Sequence, residues 1–80
     1  MVESNAALDL IFGALADVTR RDILKRVSRE ECTISELAEP YAMSFAAIAK
    51  HVSVLEKARL VIKSQKGKQK IVRISPEDCQ

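Results

Sequence analysis

The chain has 80 residues, of which 48% are apolar and 30% are charged, and its formal net charge at pH 7 is +2. This length allows one domain with a single hydrophobic core and excludes an enzyme of two domains. Tryptophan is absent and aromatic residues make up only 4% of the chain, so the composition indicates a soluble, mainly helical domain with an aliphatic core.

Two helices are predicted in the first 30 residues. Ser4 or Asn5 can cap the first helix. One of its faces is apolar at helical spacing and needs a partner surface; it consists of Leu8, Ile11, Phe12 and Leu15. The second helix has two candidate caps, Asp17 and Thr19. Its buried face is supplied by Ile23, Leu24 and Val27.

The middle of the chain predicts a helix-turn-helix over residues 33–58. Thr33 and Glu36 have the spacing of a capping box, and Pro40 ends the short helix that follows. Ser44 can cap a longer helix. The apolar face of that helix is predicted to contain Phe45, Ile48, Val52 and Leu55. Two helices joined by a few turn residues form this motif.

After Leu60 the periodicity changes to that of strands. Residues 61–65 and 69–74 flank Gly67 as the arms of a β-hairpin, and Cys32 and Thr33 are placed to add a short third strand. A helix-turn-helix followed by a basic hairpin is a winged helix. The predicted fold is therefore mainly α (α+β): one winged helix-turn-helix domain over residues 1–80, with four helices, a two-stranded wing at 60–74 and a polar tail at 75–80. In that tail, Ser75 and Pro76 resemble the start of another helix.

The positive charge is concentrated in the second half of the chain. The first 49 residues have a balance of −3, whereas the stretch from Lys50 to Arg73 contains eight basic residues and one acid. These basic residues are Lys50, Lys57, Arg59, Lys63, Lys66, Lys68, Lys70 and Arg73. A surface that faces phosphates requires such an excess.

The longer helix and the wing are predicted to contact double-stranded DNA. In a helix-turn-helix the N-terminal part of the second helix meets base edges. If Ile48, Val52 and Leu55 point inward, the opposite face projects towards DNA. The predicted contacts are Ser44, Phe45, Ala46, Ala47, Lys50, His51, Ser53, Lys57, Lys63, Lys66, Lys68, Lys70 and Arg73. Lys50 can donate to guanine, and alanine methyl groups suit a thymine methyl.

Each of these features also has a simpler interpretation. Alanine favours helices in general, an exposed lysine is often merely solvated, and charged hairpin tips protect sheet edges from aggregation. The basic hairpin directly after the two helices favours DNA binding. His51 has no companions at metal-ligand spacing, so we expect it to bond to a phosphate or to a neighbouring backbone group.

Cysteine content and hydropathy exclude further classes. Cys32 and Cys79 are too few for a disulfide scaffold or a zinc cage, which favours a reducing cytoplasm. No stretch approaches the roughly 18 apolar residues of a membrane-spanning helix. One histidine, without a nucleophile motif or a phosphate-binding glycine loop, cannot assemble a catalytic site, so neither an enzyme nor a cofactor is expected.

Three motifs in order resemble the ArsR/SmtB winged-helix repressors of bacteria and archaea. They are ALADVTRRDIL at residues 14–24, ISELA at 34–38 and MSFAAIAKHVSVLEKARLV at 43–61. The resemblance covers about residues 8–74. It implies a homodimer that binds an imperfect inverted repeat and leaves it when a signal arrives. It also implies that the first helix and a helix after the wing form the dimer interface; here the first is present and the last is missing or cut short. The dimer residues would be Leu8, Ile11, Phe12 and Leu15.

Several positions depart from the family pattern. Val18 stands where proline is common, and Ala49 stands where serine is frequent. Metal-sensing members have cysteines at the positions of Thr33 and Ser35, and their other ligands lie in the terminal helix, so metal sensing is not expected. Redox-sensing members suggest a thiol switch between Cys32 and Cys79. The commoner fate of such a cysteine is to be a small buried hydrophobe.

The sequence leaves two functions open. The first is a sequence-specific DNA-binding regulator, expected to be a dimeric repressor. The alternative is a winged-helix module for protein–protein contacts that uses the apolar stripe of the first helix. Added salt distinguishes them, because it weakens binding to DNA steeply and a hydrophobic interface only slightly.

Overall fold

The computed structural model describes residues 6–76, and within them the chain forms four helices and three strands. In chain order these are α1 (Ala6–Leu15), α2 (Val18–Arg29), β1 (Cys32–Thr33), α3 (Ile34–Ala38), α4 (Phe45–Lys57), β2 (Val61–Lys66) and β3 (Gln69–Ile74). The predicted winged helix-turn-helix is confirmed, including the short third strand. The predicted caps Ser4 and Asn5, the end of the polar tail and Cys79 lie outside the described residues.

Local capping bonds fix where the helices begin. Asp17, and not Thr19, caps α2: its Oδ2 accepts the amide of Arg20 at 3.1 Å. The capping box at α3 is formed as predicted, since Thr33 Oγ1 accepts the amide of Glu36 at 3.0 Å and Glu36 Oε1 accepts the amide of Thr33 at 2.8 Å. Each cap satisfies amides that have no partner inside the helix.

Helix α4 is capped at both ends. Ser44 Oγ accepts the amide of Ala47 at 3.1 Å. At the other end the amide of Leu60 donates to the carbonyl of Leu55 at 3.0 Å, while Arg59 has a φ of 64°. These features correspond to a Schellman motif, in which glycine is usual at the position of Arg59. The motif turns the chain directly from α4 into β2.

The three strands form one antiparallel sheet in the order β1-β3-β2. Cys32 lies opposite Val72, and Lys66 lies opposite Gln69. The hairpin loop therefore consists of two residues, and the first is Gly67, with a φ of 62°. A left-handed conformation at this position is accessible to glycine at little cost.

The core lies between the helices and one face of the sheet. Its largest fully buried side chains are Ile23, Ile34, Leu37, Ile48, Val52, Leu55, Val61 and Val72. One expectation about this core is wrong, because Phe45 is 53% exposed and does not belong to the buried face of α4. Phe45 is the first residue of α4, and helical side chains tilt towards the N-terminus, so this position contributes less to the core than the residues that follow it.

Candidate nucleic-acid interface

Helix α4 separates a buried face from an open one. Ile48, Val52 and Leu55 are completely buried, as predicted. On the opposite face Ala46, Lys50 and Lys57 are exposed and Ser53 is half-buried. Ala47 is also half-buried, beside this face. An α-helix with such an open side fits the width of a DNA major groove.

The polar residue at the start of α4 already has a partner. The hydroxyl oxygen of Ser44 caps the helix by accepting the amide of Ala47. Its side chain is nevertheless exposed, and the hydroxyl hydrogen of serine can donate while its oxygen accepts. Ser44 can therefore hold the helix end and donate to a ligand at the same time.

The basic residues of the wing lie on both faces of the hairpin. Lys66, Lys68, Lys70 and Arg73 are all exposed. The register places Lys70 on the same side of the sheet as Val72, whereas Lys66 and Arg73 lie on the other side. The wing therefore presents positive charge on both faces, as a hairpin lying between the two sugar-phosphate backbones of DNA would need.

Lys63 differs from the other lysines of the wing. Its Nζ lies 3.4 Å from Glu56 Oε1 of α4. This contact joins the wing to the last turns of α4, and it offsets part of the positive charge of Lys63. The pair is partly exposed to solvent and therefore contributes little to stability, so its main consequence is for the local charge.

His51 is paired with an arginine that the sequence did not single out. Arg20 Nη1 lies 3.1 Å from His51 Nδ1. A guanidinium has only donors, so in this contact the acceptor is His51 Nδ1. The partner of His51 Nδ1 is thus a side chain, and not the phosphate or neighbouring backbone group expected from the sequence. No local sequence signal could have found the pair, since the two residues are 31 positions apart.

The same arginine also holds the end of α1. Arg20 Nε donates to the Ala14 carbonyl at 2.9 Å, and Nη2 donates to the Gly13 carbonyl at 3.2 Å. Arg20 therefore connects three helices: α2, to which it belongs, the last turn of α1, and α4 through His51. The predicted DNA-reading helix and the predicted dimer helix share this side chain.

A cleft of about 140 Å³ lies between the start of α3, the start of α4 and the wing. Its lining residues are Thr33, Ile34, Ser35, Phe45, Lys68, Gln69 and Lys70. Only one of them, Phe45, comes from α4. The sequence predicted DNA contacts from Phe45, Lys68 and Lys70 separately, and the tertiary structure brings the three residues to one cleft.

Helix α1 has two apolar faces. Ala14 is buried and Ile11 packs against the core, so both belong to the inner face. Phe12 is 63% exposed and Leu8 is 45% exposed. Leu15 is half-buried. Of the four predicted dimer residues, Ile11 therefore supports the domain itself, and the other three lie at the surface to differing degrees.

Cys32 is buried at the edge of the sheet, where its Sγ donates to the Glu30 carbonyl at 3.4 Å. Burial raises the pKa of this thiol, and the nearby Arg26 opposes that shift only in part. A thiol with a raised pKa is a poor nucleophile. Within residues 6–76 no cluster of three or more histidine, cysteine or acidic side chains could hold a metal ion, and no helix is long and apolar enough to cross a membrane.

Comparison with known protein families gives a direct match. A model of the arsR family of bacterial regulatory proteins matches residues 17–63. The uncharacterized HTH-type transcriptional regulator YuzN of Bacillus subtilis is 45% identical, over 91% of this chain and 87% of its own length. The transcriptional repressor SdpR of the same organism is 32% identical, over 71% of this chain and 63% of its own length.

Solved structures show the same architecture. The ArsR family transcriptional regulator RHA00566 superposes with a TM-score of 0.83 at 38% identity, covering 92% of this chain and 76% of that one. The homodimeric winged helix-turn-helix DNA-binding domain of Mb0332 from Mycobacterium bovis superposes with a TM-score of 0.77 at 23% identity, covering 94% and 76%. At that identity the second likeness concerns the fold alone.

Proposed function

Because the chain belongs to the arsR family of bacterial regulatory proteins, we propose that this transcriptional regulator is a sequence-specific DNA-binding repressor. It acts in the cytoplasm as a homodimer on an inverted-repeat operator. The observation that supports the proposal most is the open face of α4 beside a wing with four exposed basic residues. Regulators of this family are not enzymes.

Base recognition is assigned to the N-terminal half of α4. Lys50 is exposed there and can donate to guanine O6 and N7 in the major groove. Ser44 can donate to several bases or to a phosphate. The contact of His51 with Arg20 involves Nδ1, so Nε2 is the ring nitrogen assigned to DNA. Lys57, nearer the end of the helix, is better placed for the DNA backbone.

Phosphate contacts are assigned to the wing. Lys66 and Lys68 flank Gly67 at the exposed tip, and each phosphate contact adds about −0.9 to the slope of log affinity against log salt. Such contacts strengthen binding to every sequence without selecting among them. Lys70 and Arg73 extend the positive charge along β3, one on each face of the sheet.

Dimer formation is assigned to α1. Phe12 and Leu8 leave apolar area at the surface, and burying such area between two copies is favourable. The family resemblance, which implies that the first helix lies at the dimer interface, supports this assignment. In dimeric helix-turn-helix proteins the two reading helices enter grooves about one helical turn apart, which explains an inverted repeat.

Selection from a random DNA library at two salt concentrations tests the proposal. We expect an enriched inverted repeat with half-sites separated by about one helical turn. Retention without any enriched sequence would contradict specific recognition. No retention at low salt would instead favour the protein–protein module, for which the exposed Phe12 is the specific observation. Association through that surface would be nearly insensitive to salt.

Removing the two lysines at the wing tip should weaken binding to all sequences equally. For Lys66→Ala with Lys68→Ala, the log–log salt slope should become less steep by up to about 1.8, which corresponds to two phosphate contacts. The matched control is Lys25→Ala with Arg29→Ala, which removes two exposed charges from α2. A loss confined to the selected operator would show that the tip reads bases.

A further inference from the structure

We propose that Phe45 recognises the 5-methyl group of a thymine in the major groove. This inference rests on the proposed DNA binding and deepens it by naming the group that one side chain reads. The occupant of the cleft beside Phe45 is then a thymine edge with its flanking phosphates.

The first argument is the position of the ring. Phe45 is the first residue of α4 and is 53% exposed, although Ile48 and Val52 on the same helix are completely buried. The core is closed without this ring. In a helix-turn-helix, the first residues of the second helix approach the base edges most closely, so the exposed ring lies where a base would be read.

The second argument is charge. Phe45 lines the cleft together with Lys68 and Lys70 of the wing, and none of the residues that line the cleft is acidic. A cleft lined by an apolar ring and two lysines complements a ligand that has an apolar group next to negative charges. A thymine with its adjacent phosphates has this combination, because its methyl lies in the groove and its backbone is anionic.

The third argument is the chemistry of the side chain. A phenyl ring has no hydrogen-bond donor or acceptor, so it cannot distinguish the polar patterns of the base edges. Of the four bases, only thymine presents a methyl group in the major groove. Ala46 and Ala47 offer single methyl groups close to the helix backbone, whereas the ring of Phe45 extends further from it.

The test replaces thymine by uracil, which lacks only the methyl group. Starting from the operator selected above, each dT in one half-site and its symmetry mate is changed to dU, and affinities are measured for the parent protein and for Phe45→Ala. For the parent we expect one position at which dU weakens binding about fourfold per half-site, the factor for one buried methyl group. For Phe45→Ala, affinity for the dT duplex falls and the dT/dU ratio becomes about 1.

Two further variants complete the design. Met43→Ala removes another exposed apolar side chain, from the turn before α4, and should keep the full dT/dU ratio. Phe45→Leu retains an apolar side chain and should keep part of it. Circular dichroism and urea unfolding check that each variant is folded, which we expect because Phe45 is outside the core.

The outcomes separate this inference from the proposed function. A selected operator whose dT/dU ratio is unchanged in Phe45→Ala would overturn this inference and leave the proposed function standing. An operator without any methyl-sensitive position would do the same. Failure to enrich any sequence would overturn both.

Discussion

Replacing Arg20 by alanine should destabilise the protein more than its half-exposed position suggests. Its guanidinium donates to two carbonyls at the end of α1 and to His51 of α4. Removal of this one side chain therefore loosens both helices from α2 at once. We expect the free energy of unfolding to fall by about 2–3 kcal/mol.

This magnitude comes from the individual bonds. The bonds to Ala14 and His51 are partly buried, and such bonds contribute about 1 kcal/mol each, somewhat more when the donor is charged. The bond to Gly13 is exposed, and its carbonyl also accepts the amide of Ala16 at 3.2 Å. It therefore adds little. A domain of this size has a total stability of only about 5–10 kcal/mol.

Urea unfolding followed by circular dichroism measures the effect. All variants are compared at one protein concentration, because the proposed dimer would make stability depend on concentration. The control is Arg21→Ala, which removes a neighbouring arginine with one exposed bond, to the Leu15 carbonyl at 2.7 Å. We expect a change below about 0.5 kcal/mol there. Arg20→Lys keeps the charge but not the planar fork, and should recover less than half of the loss. Equal stabilities of Arg20→Ala and Arg21→Ala would refute the assigned role.

Two further predictions concern titratable groups. The amide of Arg20 holds the pKa of Asp17 below its ordinary value, against a smaller opposing effect of burial. Ionised Asp17 therefore stabilises the fold above about pH 4, and this contribution disappears as the pH falls through the lowered pKa. The difference in urea midpoint between the parent and Asp17→Asn should shrink from pH 6 to pH 3, and a difference independent of pH would contradict this. Burial raises the pKa of Cys32. In a Cys79→Ser variant at pH 8, a thiol reagent should therefore label native Cys32 more slowly than it labels glutathione, and in urea the two rates should be similar. Equally fast labelling of the native protein would show an accessible thiol and contradict this prediction.

The sequence was most informative where bonding partners are close along the chain. The capping box of Thr33 and Glu36, the cap at Ser44 and the hairpin around Gly67 were predicted correctly, because each depends on residues at most four positions apart. The strands followed from the periodicity of regular structure, and so did three of the four predicted inward positions of α4, all except Phe45. These local signals were sufficient to predict the winged helix and the residues proposed to contact DNA.

Tertiary structure decided which side chains are exposed, which are buried and which contact distant elements. The exposure of Phe45, the inward turn of Ile11 and the contact of Arg20 with His51 depend on elements far apart in sequence. The periodicity of α1 gives an apolar stripe, but only the packing of α1 against the core determines that Ile11 faces inward and Phe12 outward. The sequence determined the elements because backbone hydrogen bonding and capping act locally, and the assembled core determined which side chains remain available for DNA or a second chain.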